Sequence, residues 1–448
     1  MTAPLYERLK SYAEKNRISF AMPGHKNGRG LKKDLVSLDV TELDETENLH
    51  HPGEYVKEAE RLLSLLYGSE KSYILTGGST AAIQAMICGG IEYGKTLLAS
   101  ADCHTSVINT CALLGIKIKL FHKEIIEEFN IPKGTGTLKE YLTDDIGAVI
   151  LTSPNYYGIC SDIENIAKEC HKMNIPLLVD EAHGAHFPSY EKFPVTAVKY
   201  ADAVCQSAHK TLNAMNGAAY LHVNGEYINR DRLEKALHMF QSSSPSYVIA
   251  ATADTAREEI ANGTEWMGTY NLCCKLRRTL AGLGMNVLEN NDMTRLVINF
   301  FDFELTGFEV GKMLSERGID IEMADLLNIV LIVTPSNTKE DIECLIKELT
   351  DIAASATRKS GTVKIKIPPV CDEVLEPHKA FFSKQTDIKL EDASGKISCS
   401  TVVPYPPGIP VIYTGERIRK SQIEYIESIS QAGAEITGLN EGKITVSE

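Results

Sequence analysis

The sequence lacks a long apolar stretch and an excess of basic residues. No apolar run approaches the roughly 20 residues that a membrane-spanning helix needs, and Lys and Glu occur throughout the first 20 residues, unlike in a secretory signal peptide. Asp and Glu outnumber Lys and Arg by 60 to 46, which gives a net charge of −14. We therefore expect a cytoplasmic protein without a membrane or nucleic-acid partner.

Patterns of disulfides and of metal ligands are also missing. The 11 cysteines are odd in number, scattered, and without metal-ligand spacing, as in proteins of a reducing compartment. His50 and His51 are adjacent but have no third ligand at a suitable spacing, so we expect a loop that lines an active site and no metal. The composition, 43% hydrophobic and 24% charged over 448 residues, is that of a globular protein with two or three domains.

Lys210 follows a predicted buried strand, the apolar run Ala201 to Cys205. A lysine that is buried needs a partner or a chemical task. One such task is a Schiff base with an aldehyde cofactor, for which the amine must be uncharged. The alternative is a surface lysine after an edge strand.

Asp180 ends a second apolar run, which begins at Ile175 and is typical of a parallel strand buried on both faces. Ligands of open α/β sheets bind at the carboxyl ends of the strands, where both Asp180 and Lys210 are predicted to lie. Pyridoxal phosphate uses a lysine for its aldehyde and a carboxylate to keep its ring nitrogen protonated. The pair favours this cofactor over a helix N-cap at Asp180.

Two further strand-to-helix junctions carry candidate cofactor ligands. Gly77, Gly78, Ser79 and Thr80 lie between a predicted strand and a helix, where amide hydrogens and the helix dipole would bind an anion such as phosphate. The alternative is a simple capped helix. His104 lies at another junction and could either stack on a flat cofactor ring or cap its helix.

The order of elements predicts the fold class. Strands and helices alternate over more than 150 residues, which implies an α/β domain whose mainly parallel sheet has helices on both faces. A helix is predicted at Leu5 to Lys15, and a long helical region, Val248 to Leu283, precedes a smaller α+β pattern and a linker at Ala353 to Thr362. We expect an N-terminal segment (1–54), a large cofactor-binding domain (55–285), a small α+β domain (286–358) and a C-terminal domain (359–448).

Five short segments carry a resemblance to a known family. They are Met22 to Lys26 (MPGHK), Asp180 to His186 (DEAHGAH), Ser207 to Lys210 (SAHK), Ser244 to Tyr247 (SPSY) and Tyr405 to Pro410 (YPPGIP). With them the chain resembles the pyridoxal-phosphate-dependent ornithine/lysine/arginine decarboxylases of the aspartate-aminotransferase fold (fold type I), in a short form without an N-terminal response-regulator-like domain. The resemblance covers nearly the whole chain.

The resemblance implies a role for each matching residue. Lys210 would bind the cofactor covalently, Asp180 would pair with the pyridinium nitrogen, and His104 would stack on the ring. His183 would support that acid or the ring. The phosphate would be bound by Gly78, Ser79, Thr80, Ser207 and His209, and by Ser243 across the interface of a homodimer or larger homo-oligomer. Lys210, with His209, would return the proton to the α-carbon after CO₂ leaves.

The sequence leaves more than one substrate and more than one reaction open. A basic side chain needs a carboxylate in the pocket, and Glu322 and Asp325 are candidates, with a solvated helix or strand face as the alternative. We interpret Arg295 as a structural or surface residue and not as a clamp on the substrate carboxylate. Arginine, lysine and ornithine all fit a role in polyamine biosynthesis. The alternatives are another reaction of the same cofactor, such as transamination or aldol-type cleavage, and a non-catalytic regulatory homologue.

Overall fold

The computed structural model describes residues 14–15, 17–42, 44, 46–263, 265–357, 374–404 and 409–448. Nearly all of the helix predicted at Leu5 to Lys15, the second half of the predicted linker, and Tyr405 to Gly408 of the C-terminal signature lie outside these residues. Among the described helices, none combines the length and the apolar character that crossing a bilayer requires.

The first half of the chain builds the larger sheet. Its elements are, in order, β1 (Ile18–Phe20), α1 (Tyr55–Tyr67), β2 (Lys71–Leu75), α2 (Gly78–Gly90), β3 (Thr96–Ser100), α3 (Thr105–Leu114), β4 (Lys117–Phe121), β5 (Ile125–Ile126), β6 (Ile131–Pro132), β7 (Ile146–Thr152), α4 (Ile163–Lys172), β8 (Leu177–Asp180), β9 (Ala203–Gln206), α5 (Ala208–Thr211) and β10 (Ala219–Val223). Short 3₁₀ turns occur at Leu35–Leu38, Phe187–Ser189 and Ala197–Lys199.

The second half contains more helix and several short sheets. Its elements are α6 (Arg230–Phe240), α7 (Tyr247–Asn262), α8 (Glu265–Gly282), β11 (Asn286–Val287), β12 (Arg295–Asn299), α9 (Gly307–Glu316), β13 (Ile319–Ile321), β14 (Met323–Ala324), β15 (Asn328–Ile332), α10 (Lys339–Ser355), α11 (Pro377–Phe381), β16 (Gln385–Lys389), β17 (Val403–Pro404), α12 (Lys420–Gln431), β18 (Ile436–Thr437) and β19 (Lys443–Ser447). Further 3₁₀ turns occur at Phe301–Phe303 and Leu390–Asp392. The long helical region breaks near Gly263, as predicted, and α10 continues into the first residues of the predicted linker.

The larger sheet has seven strands in the order β2-β10-β9-β8-β7-β3-β4. Only β10 runs antiparallel to its neighbours β2 and β9, and the remaining neighbours pair in parallel. Successive side chains of β8 enter two separate apolar cores, Leu177 and Val179 on one face and Leu178 on the other. Helices cover both faces, which explains why the strands are continuously apolar in sequence.

Two smaller units complete the chain. The first, called the small unit below, is the antiparallel sheet β11-β12-β15-β14, which packs with α8, α9 and α10 around its own core. The N-terminal strand β1 pairs in parallel with β13 and contributes Phe20 to that core. In the C-terminal unit, the pairs β16–β19 and β17–β18 pack with α12 around a third core. The ring of His378 in α11 lies 2.8 Å from the Ala112 carbonyl and so joins this unit to α3.

Polar caps fix where helices begin in the small unit. The Thr306 hydroxyl accepts from the Glu309 backbone N–H while the Glu309 carboxylate accepts from that of Thr306, a complete capping box at the start of α9. Thr338 and Asp341 form the same arrangement at α10. These caps satisfy backbone donors that would otherwise have no partner.

Candidate active site

The site lies at the carboxyl ends of β8 and β9. Strand β9 ends at Gln206, and the single helical turn α5 then presents Lys210, most of whose side chain is buried. Burial, rather than any single charge, lowers the pKa of the Lys210 amine. The strand-end position predicted from the sequence therefore places an amine where burial shifts its protonation equilibrium toward the uncharged form.

Asp180, the last residue of β8, is buried beside the Lys210 turn. Its Oδ1 accepts from the Ala182 backbone N–H at 3.1 Å and from the Cys205 thiol at 3.5 Å. Among the described residues, both of these hydrogen bonds go to Oδ1. The second carboxylate oxygen is therefore available to a donor such as a protonated ring nitrogen.

His183 contacts Lys210 directly. Its Nε2 lies 3.1 Å from Lys210 Nζ, and its Nδ1 lies 2.6 Å from Nη2 of Arg295. Both His183 and Arg295 are buried. The sequence predicts that His183 supports Asp180 or a cofactor ring. The structure shows contacts with the lysine and with Arg295, and the support of Asp180 or of a ring stays a prediction. Of the two interpretations of Arg295, as a structural or a surface residue, the surface alternative is wrong because the residue is fully buried.

The predicted phosphate site is a junction of two elements. Gly78 begins α2 with φ +70°, and open space surrounds the position that a Cβ would occupy. The hydroxyl of Ser207, which precedes the Lys210 turn, donates to that of Ser79 at 2.8 Å. Amides at the start of a 13-residue helix thus lie beside hydroxyls, and this donor set suits a dianionic phosphate.

His104 is exposed, and its imidazole caps α3 by accepting from the Ser106 backbone N–H at 3.2 Å. Partial desolvation lowers its pKa, while Asp180 and Lys210 are close enough to act on it in opposite directions. The capping predicted as the alternative to ring stacking is therefore present. Because a cap uses the ring edge, it leaves the ring face free for stacking.

His209 and Ser243 occupy different surroundings. His209 Nδ1 lies 2.9 Å from the Ala218 carbonyl, and burial lowers its pKa to about 4. His209 is therefore uncharged near neutral pH, and its part in proton return stays a prediction. Ser243 is exposed in the turn between α6 and α7, and none of the hydrogen bonds among the described residues joins it to the Lys210 cluster.

Glu322 brings a second buried carboxylate toward Lys210. Its Oε2 accepts from the Met22 backbone N–H at 2.7 Å, and its Oε1 accepts from the Tyr156 hydroxyl. Asp180 has the strongest electrostatic effect that raises the pKa of Lys210, and Glu322 has the second strongest. The solvated-face alternative for Glu322 is therefore wrong.

Asp325 has a local task. Its carboxylate accepts from the backbone N–H groups of Leu327 and Asn328, at 2.8 and 2.7 Å, and from the Tyr157 hydroxyl at 2.8 Å. These bonds hold the turn before β15, so the carboxylate is not on a solvated face. A role for Asp325 toward the substrate stays a prediction.

The N-terminal segment covers α5, the helical turn that carries Lys210 (called the lysine turn below), on the side of the small unit. The Gly24 backbone N–H donates to the His209 carbonyl at 2.8 Å, and the Thr334 hydroxyl donates to the Gly24 carbonyl at 2.9 Å. Lys26 is buried and donates to the Ala21 carbonyl at 2.7 Å. Desolvation lowers the pKa of Lys26 to about 7, although Glu322 opposes the shift.

The residues of this site fit pyridoxal phosphate. The chain supplies an amine whose pKa is lowered by burial, a carboxylate with one available oxygen, and an anion cradle whose Gly78 leaves room for a ligand. Within the described residues, no group of three His, Cys, Asp or Glu side chains is arranged to bind a metal ion.

Two family models match the chain. The Orn/Lys/Arg decarboxylase major domain matches residues 3–298, and the C-terminal domain of the same family matches residues 369–443. The chain belongs to the Orn/Lys/Arg decarboxylase family. The resemblance carried by the five short segments is thereby confirmed.

Known relatives of this family member span almost its whole length. An uncharacterized protein of Bacillus subtilis, YaaO, is 36% identical over 98% of this chain and 96% of its own. The arginine decarboxylase of the same organism is 29% identical over 97% and 95%. The lysine decarboxylase LdcF of Francisella novicida superposes with a TM-score of 0.78 at 19% identity, covering 93% of this chain and 75% of that one. The predicted fold class is confirmed.

Three residues of the site in this decarboxylase-family chain were missed or given no role by sequence reasoning. Arg295 contacts His183 from a distant part of the chain, Lys26 is buried where the charges of Glu322 and Arg295 act on it, and Tyr156 places its ring 4.7 Å from that of His183. Tyr156 could have been found, because it follows the end of β7, the neighbour of β8. Buried basic residues such as Arg295 and Lys26 carry no comparable local signal.

Proposed function

We propose that this chain is a pyridoxal-phosphate-dependent decarboxylase that converts a basic amino acid into its amine and CO₂. The observation that carries the proposal is the Lys210 amine, mostly buried, hydrogen-bonded to His183 and adjacent to the Asp180 carboxylate. Membership of the Orn/Lys/Arg decarboxylase family supports the same reaction.

The chain's own residues would hold the cofactor as follows. Lys210 would bind its aldehyde, Asp180 its ring nitrogen and His104 one face of its ring. The phosphate would lie against the start of α2, bound by Gly78, Ser79, Thr80 and Ser207. Pyridoxal phosphate supplies an electron sink for the bond that breaks when a carboxylate leaves as CO₂.

Two residues would serve the chemistry around that sink. Asp180 would keep a proton on the ring nitrogen, since a buried carboxylate favours a charged partner. Lys210 would deliver a proton from Nζ to the carbon that has lost CO₂. The covering loop at Gly24 and the buried Lys26 would exclude water from this region.

Glu322 supports a basic substrate. A cationic side chain needs a carboxylate partner where water is scarce, and Glu322 is a buried carboxylate whose charge acts on Lys210. We propose that its carboxylate recognises the side-chain cation of arginine, lysine or ornithine. The resulting amine would enter polyamine synthesis.

We further propose a homodimer whose partner covers the site. Thr80, His104 and Ser243 are exposed in the single chain although each is a candidate cofactor ligand. A second copy packed over this face would bury them and bring Ser243 to the phosphate. Light scattering would give the oligomeric state. Restored activity on mixing inactive Lys210→Ala with Ser243→Trp would show shared sites, whereas a monomer with full activity would contradict the proposal.

A product assay tests the reaction. Purified protein with pyridoxal phosphate is incubated separately with arginine, lysine and ornithine, and the products are identified by mass spectrometry. We expect agmatine, cadaverine or putrescine from the wild type and none from Lys210→Ala. A keto acid would indicate transamination. A visible cofactor absorbance that borohydride removes, without any product, would leave the cofactor site intact and overturn the decarboxylase proposal for these substrates.

A further inference from the structure

Three side chains in contact, those of Arg295, His183 and Lys210, connect the small unit to the large sheet. Arg295 begins β12 and is fully buried, and its Nη2 lies 2.6 Å from Nδ1 of His183. His183 Nε2 in turn lies 3.1 Å from the Lys210 amine. Both nitrogens of one imidazole are therefore engaged, one by a guanidinium and one by the lysine of the site.

The chemistry of the guanidinium decides the tautomer of His183. An arginine side chain has only donors and stays protonated in proteins, so His183 Nδ1 must be the acceptor in this contact. A neutral imidazole whose Nδ1 accepts carries its hydrogen on Nε2. The Nε2–H then points to Lys210 Nζ, which accepts a hydrogen bond only through the lone pair of an uncharged amine.

The contacts of Arg295 differ from those of a structural arginine nearby. Arg277 donates to the carbonyls of Leu288 and Arg295 and to the side chain of Asn290, at 2.7, 2.6 and 2.8 Å. In contrast, Nε and Nη1 of Arg295 have no hydrogen-bond partner among the described residues. Among the described residues, the hydrogen bond to His183 is therefore the one that the Arg295 side chain makes.

We propose that Arg295 is a positioning residue, which fixes the tautomer of His183 so that His183 Nε2–H holds the Lys210 amine uncharged. The proposal deepens the proposed function, since it concerns the residue that would bind the cofactor. Two other facts agree with it. Desolvation lowers the pKa of His183 well below the ordinary value, with Lys210 and Arg295 adding to the shift, and burial lowers the pKa of Lys210.

Lys210 is faced by charges from every neighbouring element. Asp180 on β8, Cys205 on β9 and Glu322 between β13 and β14 favour its protonated form, whereas Arg295 on β12 opposes it. His104, His183 and His209 have lowered pKa values, first through desolvation, and Lys210 itself adds to the lowering. Because two carboxylates oppose the neutral amine, an oriented hydrogen bond from His183 has a specific task here.

The tautomer can be measured without cofactor or substrate. Protein labelled with ¹⁵N-histidine is examined by NMR, and the signals of His183 are identified by their loss in His183→Gln. We expect an unprotonated Nδ1 and a protonated Nε2 in the wild type. In Arg295→Met we expect a mixed or reversed tautomer, while Arg295→Lys, which keeps a cationic donor, retains the original one. Arg277→Met is the matched control and should leave the His183 signals in place.

A second readout follows the amine. Carbamylation of Lys210 by cyanate in cofactor-free protein, followed across pH by peptide mass spectrometry, reports its uncharged fraction. We expect about tenfold slower modification at neutral pH in Arg295→Met, and near-normal modification in Arg295→Lys and Arg277→Met. A protonated Nδ1 on His183 of the wild-type protein would overturn the proposal even if the variants fail to fold. Because neither measurement uses turnover, such a result would leave the proposed decarboxylation untouched.

Discussion

The backbone N–H of Gly24 donates to the carbonyl of His209 at 2.8 Å, so the N-terminal loop contacts the residue that precedes Lys210. A Cβ added at Gly24 would lie 2.4 Å from the Leu212 carbonyl oxygen and 2.7 Å from the Thr211 carbonyl carbon. Both are backbone atoms of the lysine turn and its C-cap, which cannot move aside as a flexible side chain could. A methyl group at position 24 would therefore force the loop and the turn apart.

We therefore expect Gly24→Ala to lower the free energy of unfolding by about 1–3 kcal/mol, the usual cost of overpacking, and to weaken cofactor binding. Thermal unfolding and cofactor titration measure the two effects. Gly136→Ala is the control, because nothing lies within 4 Å of its added Cβ. Unchanged cofactor affinity in Gly24→Ala would show that the loop does not support the lysine turn.

Replacement of Lys210 by alanine should abolish turnover and leave the fold intact. The lysine would both bind the cofactor and return a proton, and loss of a general acid alone costs about 10²–10⁴-fold in rate. Its removal takes away a mostly buried amine whose protonation is disfavoured, so stability should not fall. The amine product is measured by mass spectrometry and the fold by circular dichroism. Activity equal to that of the wild type would contradict the whole site assignment.

Asp180→Asn should weaken cofactor binding by about 30-fold or more, because removing one member of a buried charge pair costs about 2–5 kcal/mol. The matched control is Asp202→Asn. Asp202 is buried just before β9, at the opposite end of the sheet, where its carboxylate accepts from the Leu177 backbone N–H at 2.7 Å. The control should lose stability without losing cofactor affinity. Equal cofactor affinity in Asp180→Asn and wild type would remove Asp180 from its role.

Glu322→Gln should raise the KM for the basic substrate by about tenfold or more, as expected for a hydrogen bond to a charged group worth about 1.5–3 kcal/mol. Asp325→Asn provides the comparison, since that carboxylate binds its own turn. It should lower stability and leave KM nearly unchanged. Steady-state kinetics of both variants decide between the two carboxylates, and the reverse pattern would exchange their roles.

Lys26→Met should change how stability depends on pH. The pKa of Lys26 is about 7 in the folded chain against an ordinary value of 10.5. Between these values the unfolded chain holds a proton that the folded chain lacks, so Lys26 makes the wild type more stable as pH rises through this window. The limiting slope is about 1.4 kcal/mol per pH unit.

Denaturant unfolding at pH 7.5 and 9.5 measures this difference. We expect the stability of the wild type relative to Lys26→Met to increase with pH by about 1 kcal/mol per unit. Lys33→Met, a change at an exposed lysine of the same segment, should track the wild type at both pH values. A parallel pH dependence of Lys26→Met and wild type would show that Lys26 is charged in the folded state.

Local sequence predicts the large sheet and the two residues at its centre. Asp180 and Lys210 follow apolar runs that form the adjacent parallel strands β8 and β9, so the strand-end rule brings them together. Because both strands are buried on both faces, their sequences are continuously apolar and are easily identified as strands. The strand-end rule also predicts that Tyr156, which follows β7, lies near Asp180, because β7 is the neighbour of β8.

The remaining partners depend on packing between units, which local patterns do not encode. Arg295 begins an ordinary strand, and only the position of the small sheet against the large one carries it to His183. Lys26 lies in a loop with several glycines, and its burial follows from the pairing of β1 with β13. Which nitrogen of His183 faces which partner likewise depends on the approach of the two sheets.

The contact of Met22 with Glu322 has a consequence for biosynthesis. These residues are 300 positions apart, and Thr334 and Gly24 are 310 positions apart. Translation produces the N-terminal loop long before its partners, and contacts at such separation form late because loop closure must come first. The large sheet is complete at Val223, whereas the covered lysine turn needs β13 and β15. A nascent chain arrested between these points would hold Asp180 and Lys210 in an uncovered site, so competence for the reaction is gained at the end of folding.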